Sequence, residues 1–313
     1  MIVLERYFVG KVVWLMNTRQ LRYAVELSKT LNFSQVAEKL GITQPALSKQ
    51  ISNLEQELAV KLFDRTTNPM QLTAAGEYFL SEANKLLFSE ERLLRSMEEF
   101  KSGNRGQLVV GATPFRSQYL IPKVVKKFKE AYPQVKIILK ESGNEQLRKD
   151  TAEGKFDLCV VNLPVDETIL DATPIESDIL VLAVPNEIAK TLPVASGGML
   201  PQLSLEMCKD VPFVTCGRNQ EMRQLLEKSC ALANIDPIIA MEVVGVSTAY
   251  AMCLAGIGAT LIPLQYVNHL KENSGVTLFS LKQNVYTRQL AVITRHGQYV
   301  SEYARHFIKL ITE

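Results

Sequence analysis

A small, mainly α-helical domain, a single long helix and two α/β lobes, in that order, are what the 313-residue sequence predicts. Three observations carry the prediction. Two short helical patterns meet at a glycine turn, at Gly41. One unbroken helical periodicity then runs from Thr73 to about Lys101. Beyond a Ser/Gly/Asn-rich stretch, short apolar strands alternate with helices to the end of the chain.

The elements follow in order. Residues 1–15 precede Met16-Asn-Thr-Arg-Gln-Leu, which reads as a natural start. The apolar Val12-Val-Trp-Leu15 after Lys11 is too short for a secretory core, so this segment is expected to be an extension or a misassigned start. Thr18 is expected to cap a helix to about Lys29 that buries Leu21, Ala24, Val25 and Leu27. Val36, Ala37 and Leu40 share one side of the next helix, and Gly41 ends it. Thr43 then caps a helix with Pro45 in its first turn and Leu47, Ile51, Leu54 and Leu58 on one stripe. Gln44, Ser48, Lys49, Gln50, Ser52 and Asn53 face the other way. A helix with an apolar back, a compact polar front and a supporting helix ahead of it is a helix-turn-helix reader, suited to base edges in the major groove of duplex DNA. Val60 to Leu72 reads as a wing, with strands at Lys61–Phe63 and Met70–Leu72. The helix-turn-helix domain with its wing thus spans 16–75.

The helix over 76–102 carries Phe79, Ala83, Leu86, Leu93, Met97 and Phe100 at spacings of three, four and seven, interrupted by Glu90. At 1.5 Å per residue it is about 40 Å long. A lone helix of that length cannot bury its stripe on itself. A homodimer through this helix is expected, with a bundle inside one chain as the alternative. Residues 103–106 form a hinge by composition. In 107–313, strands are expected at 108–111, 136–140, 157–161, 179–184, 213–215, 259–262 and 290–293, and helices at 118–131, 144–154, 219–233, 247–255 and 300–311. A mostly parallel α/β region is expected, with lobe I at about 107–177 and 283–313 and lobe II at about 178–282. Such lobes hold ligands in the cleft between them, outside strand ends.

Net charge is only +2. Between Asn17 and Ala75 seven basic residues stand against five acidic ones. A reader this close to neutral does not coat DNA; its affinity has to come from placed contacts and from more than one copy. The five cysteines contain no Cys-x-x-Cys pair and the three histidines lie late and far apart, so neither a metal site nor any cofactor is expected. No apolar run reaches membrane-spanning length, and a cytoplasmic location without membrane contact is expected.

The order of elements resembles the LysR-type transcriptional regulators, and specific residues carry the resemblance. They are Phe33-Ser34 with Ala37-Glu-Lys-Leu, Thr43-Gln-Pro-Ala-Leu-Ser-Lys-Gln-Ile, Leu54-Glu55, Leu62-Phe-Asp-Arg65 and Leu72-Thr-Ala-Ala-Gly76. Fainter matches continue at Leu120-Ile-Pro122, Phe128, Pro133, Gly154-Lys-Phe-Asp157, Leu254-Ala-Gly-Ile-Gly-Ala259 and Ile262-Pro263. The resemblance spans Met16 to the C-terminus. It implies a winged helix-turn-helix, a linker helix and a two-lobed, periplasmic-binding-protein-like effector domain. It also implies a homodimer or homotetramer, with RNA polymerase as a further partner. Ala59 departs from the family, which usually has glycine there, so the turn must avoid a left-handed conformation or bear its cost. Asn68-Pro69-Met70 lacks the basic wing tip, leaving phosphate contact there to Arg65.

By resemblance, Gln44, Pro45, Ser48 and Lys49 enter the major groove behind the Thr43 cap. Lys49 reaches a guanine, Gln44 an adenine and Pro45 a thymine methyl. Ser34 caps its helix and offers phosphate a donor. For the effector, Thr113 and Ser117 after the first strand suit an anion, with Arg116 adding charge and Phe115 a wall. Ser142, Thr215, Val246 and Ser247 form the matching cleft edges; Ser142 and Ser247 also read as plain helix caps. Cys216 and Cys230 bracket Arg218, Arg223 and Lys228, which would lower a thiol pKa and permit redox sensing; buried, inert thiols are the alternative. A cytoplasmic enzyme is the rival class. His269, His296 and His306 form no catalytic motif and Gly-x-Ser-x-Gly is absent. A plain solute-binding protein is disfavoured by the helix-turn-helix.

Overall fold

The computed structural model describes residues 16–67, 69–102, 106–193, 199–270, 274–282 and 287–313. The expected extension at 1–15, Asn68 of the wing tip and residues 103–105 of the expected hinge lie outside them. Two compact units divide between Glu98 and Glu99.

In the first unit, α1 (Thr18–Thr30), α2 (Phe33–Leu40) and α3 (Gln44–Leu58) share one core. Leu21, Ala24, Val25, Leu27, Val36, Ala37, Leu47, Ile51 and Leu54 fill it, as their spacing predicts. Leu58 does not; it is exposed at the end of α3. Two caps differ from expectation. Asn17 rather than Thr18 caps α1, its Oδ1 accepting from the Gln20 N–H at 3.0 Å while Gln20 Oε1 accepts from the Asn17 N–H at 3.0 Å. Asn32 rather than Ser34 caps α2, accepting from Gln35 N–H at 3.1 Å. In both, asparagine one step outside the helix reaches the third amide, which the hydroxyls already inside the first turn cannot cap.

Gly41 closes α2 with φ of 66°. Ala59 closes α3 with φ of 55°, so the turn takes the left-handed conformation and bears its cost of about 1 kcal/mol. Ala59→Gly is expected to raise the unfolding free energy of this unit by about 0.5–1 kcal/mol, relief of Cβ crowding outweighing the freer unfolded glycine. Urea denaturation checks this, and a lower midpoint would contradict it.

The wing is a short antiparallel pair, β1 (Phe63–Asp64) with β2 (Gln71–Leu72). Thr73 caps α4 (Ala74–Ser102), accepting from Gly76 N–H at 2.9 Å. With 29 residues α4 is about 43 Å long. Its expected stripe divides. Leu80 and Ala83 are buried in the core of the first unit, with Phe79 and Leu87 packed on it. Glu90, which interrupts the pattern, accepts from Arg22 of α1 at 2.9 Å. Leu86, Leu93, Leu94 and Met97 remain exposed. The side chain of Phe100, the last residue of the expected stripe, lies outside the described part of the helix.

The second unit runs β3 (Gln107–Ala112), α5 (Pro114–Tyr119), α6 (Ile121–Ala131), β4 (Lys136–Glu141), α7 (Asn144–Ala152), β5 (Leu158–Asn162), β6 (Leu170–Pro185) and α8 (Asn186–Ala189). It continues β7 (Gln202–Leu203), β8 (Pro212–Cys216), α9 (Glu221–Leu232), β9 (Ile238–Val243), α10 (Val246–Leu254), β10 (Thr260–Pro263), α11 (Leu264–Leu270), β11 (Val276–Leu281), β12 (Thr287–Arg295) and α12 (Glu302–Thr312). In lobe I, β4, β3 and β5 are parallel, and β12 lies antiparallel between β5 and the first half of β6. In lobe II, β10 and β11 are antiparallel to β6, and β8 pairs in parallel with β9.

The region is therefore mixed rather than mostly parallel. The reason is β6, whose first half pairs with β12 in lobe I and whose second half pairs with β10 and β11 in lobe II. One strand thus crosses the boundary that the sequence placed at 177/178. Pro174 lies in its first half beside the register shift at Gln289/Ala291, where only one neighbour strand has to be matched. Lobe I has apolar clusters on both faces of its sheet, one around Val124, Phe128 and Phe307, the other around Leu147, Phe156 and Ile293.

Candidate functional site

The reader helix presents the surface its pattern promised. Leu47, Ile51 and Leu54 are wholly buried, while Thr43, Gln44, Pro45 and Lys49 are exposed and Ser48 is half-buried. Thr43 accepts from Ala46 N–H at 3.4 Å, fixing the start of the helix. Ser34, displaced from its expected capping role, is exposed within the first turn of α2. Its hydroxyl is spared from the cap that Asn32 makes.

The wing is organised by a residue whose burial the helical pattern does not show. The Glu55 side chain is fully buried. Its Oε1 accepts from the backbone N–H of Leu62 at 2.9 Å and of Phe63 at 3.2 Å. Its Oε2 lies 3.2 Å from Lys61 Nζ and 3.4 Å from Arg65. A buried carboxylate is tolerated only when paired and hydrogen-bonded, and here both conditions are met by the chain that enters the wing. Arg65 is consequently not a free cation at the wing. Its guanidinium lies beside Glu55, 5.0 Å from the centre of the Phe33 ring. Beyond it, the Thr66 hydroxyl and N–H hold the Asp64 carboxyl below its ordinary pKa and tighten the turn.

In the second unit the expected cleft residues fall into two groups. Thr113 opens α5 without a side-chain cap bond, and Ser117 Oγ is buried with no hydrogen-bond partner among the described residues. Phe115 joins Tyr119 of the same helix in an apolar cluster with Tyr250 and Tyr266 of lobe II; the Phe115 and Tyr266 ring centres are 4.7 Å apart. Tyr266 donates to Gln118 Oε1 at 3.2 Å and contacts the Ser247 hydroxyl, while burial holds its phenol above the ordinary value. The structure thus brings Phe115 and Ser247 to one aromatic seam between the lobes.

Arg116 does not line the cleft as an open charge. It is only 2% exposed, donating to Tyr119 Oη and to Asn162 Oδ1, each at 2.7 Å. Thr215 is buried at the end of β8, and neither Ser142 nor Ser247 caps a helix; Gly143 and Gly245 take those positions without side-chain bonds. Sequence reading missed Asn162, Glu221 and Arg288, which meet between the lobes. The Glu221 carboxylate accepts from Asn144 and Asn162 at 2.7 Å each and lies 3.4 Å from Arg288. The one available signal was Asn162 at the carboxyl end of a buried strand, where α/β proteins place ligand contacts.

The expected lowering of thiol pKa values does not occur. Burial pushes Cys216 and Cys230 up to about 11, reinforced by the carboxylates of Glu242 for Cys216 and of Asp236 and Glu227 for Cys230, and all five cysteines are free and buried. Cys208 is pushed up to about 12, first by burial and then by the neighbouring Cys230. No helix among the described residues is long and apolar enough to cross a membrane.

Comparison with known proteins places both halves. Residues 18–77 match the bacterial regulatory helix-turn-helix protein, lysR family, and residues 101–313 match the LysR substrate binding domain. The chain is 32% identical over 309 residues to the HTH-type transcriptional regulator YcgK of Bacillus subtilis, covering 95% of this chain and 94% of that protein. It is 28% identical to the HTH-type transcriptional regulator AlsR of Bacillus subtilis, covering 93% and 91%. Among solved structures, CbnR, a LysR family transcriptional regulator, superposes with a TM-score of 0.69 at 19% identity, covering 95% and 98%. Full-length CbnR in complex with its target DNA gives 0.69 at 20%, covering 95% and 99%. A full-length OxyR variant from Pseudomonas aeruginosa gives 0.68 at 21%, covering 95% and 98%. The chain belongs to the LysR family, as a helix-turn-helix transcriptional regulator with an effector-binding domain and not an enzyme.

Proposed function

We propose that the protein reads a specific operator through α3 as a homodimer or homotetramer, under control of a small anionic effector held between the two lobes of 107–313. The observation that carries the DNA half is the division of α3, whose apolar back is wholly buried while Gln44, Pro45 and Lys49 stand clear at its N-terminal end. Those positions enter the major groove when a recognition helix docks by its N-terminal residues. Ser34 and Thr43 flank them and contact phosphate. Arg65 adds a backbone contact through the guanidinium donors that Glu55 does not engage.

Pairing follows from the apolar residues that α4 leaves exposed. Leu86 and Leu93 are seven residues apart and Met97 follows four later, the spacing of a seam between two helices, and the occupant is α4 of a second copy. For the effector, the buried unpartnered Ser117 hydroxyl, Thr113 at the start of α5 and the donors around Asn162 all favour an anion. Thr215, Val246 and Ser247 supply the lobe II edge, and Ser142 the edge after β4. A redox mechanism through Cys216 and Cys230 finds no support in thiols buried and held near pKa 11.

Lys49→Ala is expected to weaken operator binding by about 1–3 kcal/mol, roughly fivefold to 150-fold, without lowering thermal stability. A gel-shift titration on the DNA upstream of the coding region checks it. Unchanged affinity would remove α3 as the reader.

A further inference from the structure

Glu221 opens α9 in lobe II, yet its carboxylate rests on groups of lobe I, from α7, β5 and β12. The groups it meets are all donors. Asn162 is 1% exposed and its amide orientation is fixed from behind, because Oδ1 accepts from Arg116 at 2.7 Å. That leaves Nδ2 pointing at Glu221. Asn144 is fixed likewise, its Oδ1 accepting from the Asn162 N–H at 3.4 Å while its Nδ2 turns to the same carboxylate oxygen. Arg148 donates to the Asn162 carbonyl, and Arg288, its side chain 11% exposed, completes the ring at 3.4 Å. Asn144 is also the first residue of α7, whose positive end adds to the field.

Two amide donors and a guanidinium, with Asn162 held in place by the buried Arg116, make a seat for a carboxylate. We propose that this seat is the carboxylate subsite of the cleft and that Glu221 is its resident, tethered occupant. A carboxylate effector binds by taking the place of Glu221 on Asn144, Asn162 and Arg288, and thereby unties lobe II from lobe I. The inference rests on the reading of 107–313 as an anion-responsive domain and names the ligand chemistry and its competitor.

A tethered group competes at its effective concentration, so removing it should tighten binding of a free carboxylate by about tenfold or more. The test uses full-length wild type and Glu221→Ala, with acetate and formate as probes, and acetamide, chloride and phosphate as controls at constant ionic strength. Glu221→Ala is expected to melt lower than wild type in chloride, to be restored by acetate but not by acetamide, and to bind acetate at least about tenfold more tightly by calorimetry. Acetate acting equally on both proteins, or acetamide acting as well as acetate, would overturn the proposal. So would an acetate response in Glu221→Ala that survives the further change Asn162→Ala. Should Glu221→Ala not fold, Glu221→Gln carries the same comparison, since it keeps the side chain's size and removes its charge. A wild type stabilised by another anion class while acetate leaves Glu221→Ala unaffected would sink the carboxylate seat and leave the anion-responsive reading standing. Wild type and Glu221→Ala both failing to respond to any of these anions would count against that reading itself.

Discussion

Gly76→Ala should destabilise the DNA-reading unit more than any other small substitution in it, by about 3 kcal/mol or more. A Cβ built at Gly76 stands 2.0 Å from the backbone oxygen of Leu62. That oxygen cannot move aside cheaply, because it accepts from Thr73 N–H at 3.1 Å and belongs to the chain that enters the wing. The Thr73 hydroxyl is tied to the same segment, donating to the Lys61 carbonyl at 2.7 Å. One methyl group therefore has to separate the start of α4 from the wing. Calorimetry of the full chain checks it, reading the transition of the first unit against that of the effector domain. A variant with an unchanged first transition and unchanged operator affinity would show that the junction is softer than this geometry implies.

Glu55→Ala should cost about 3 kcal/mol by a different route. The substitution leaves the N–H groups of Leu62 and Phe63 buried without their acceptor and adds a cavity. Its exposed partners contribute little, since Lys61 remains 69% exposed and the pair lies at the surface on that side. Glu55→Gln separates the two contributions. It keeps one acceptor for the two amides while removing the charge opposite Lys61 and Arg65, and is expected to lose less than half as much. Urea titration of both variants decides it. A Glu55→Gln loss equal to that of Glu55→Ala would assign the stability to the ion pairs and not to the two amides.

Both predictions concern a junction that the sequence showed only in part. The reader itself was legible because its signals are local: apolar residues three and four apart, Thr43 as a cap and Gly41 as a turn. Glu55 sits in the same helix, four residues after Ile51 at the edge of the apolar stripe, where spacing alone does not say what would pair a buried carboxylate. Its burial is caused by amides seven and eight residues later, which no helical pattern contains. The α4 stripe was legible as apolar but not as divided, since only folding shows Leu80 and Ala83 turned to the domain's own core and Leu86, Leu93 and Met97 left out.

In the effector domain the strands expected from the sequence, β3, β4, β5, the second half of β6, β8, β10 and β12, each carry a short run of apolar residues. The first half of β6, Leu170-Asp-Ala-Thr-Pro-Ile-Glu-Ser-Asp, alternates with polar residues and contains proline, so it read as a boundary. It pairs on one side only, with β12, and such a half-strand tolerates that composition. The expected cleft residues rested on the rule that ligands meet strand ends. Arg116 was expected to add charge there; it is buried and donates to Asn162 Oδ1, leaving Asn162 Nδ2 to meet Glu221. Glu221 was invisible because its partners come from α7, β5 and β12, far apart in the chain.

The central claim is a paired reader that recognises a particular DNA sequence through placed contacts, since its charge is too small to hold DNA otherwise. Footprinting of the full-length protein on the DNA upstream of its coding region, at physiological salt and with shuffled DNA as competitor, tests this most directly. The account predicts a discrete protected segment with two halves separated by whole helical turns of about 10 base pairs, retained against excess shuffled DNA and lost in Lys49→Ala. Protection that spreads evenly, or that shuffled DNA removes as readily as the upstream sequence does, would contradict it.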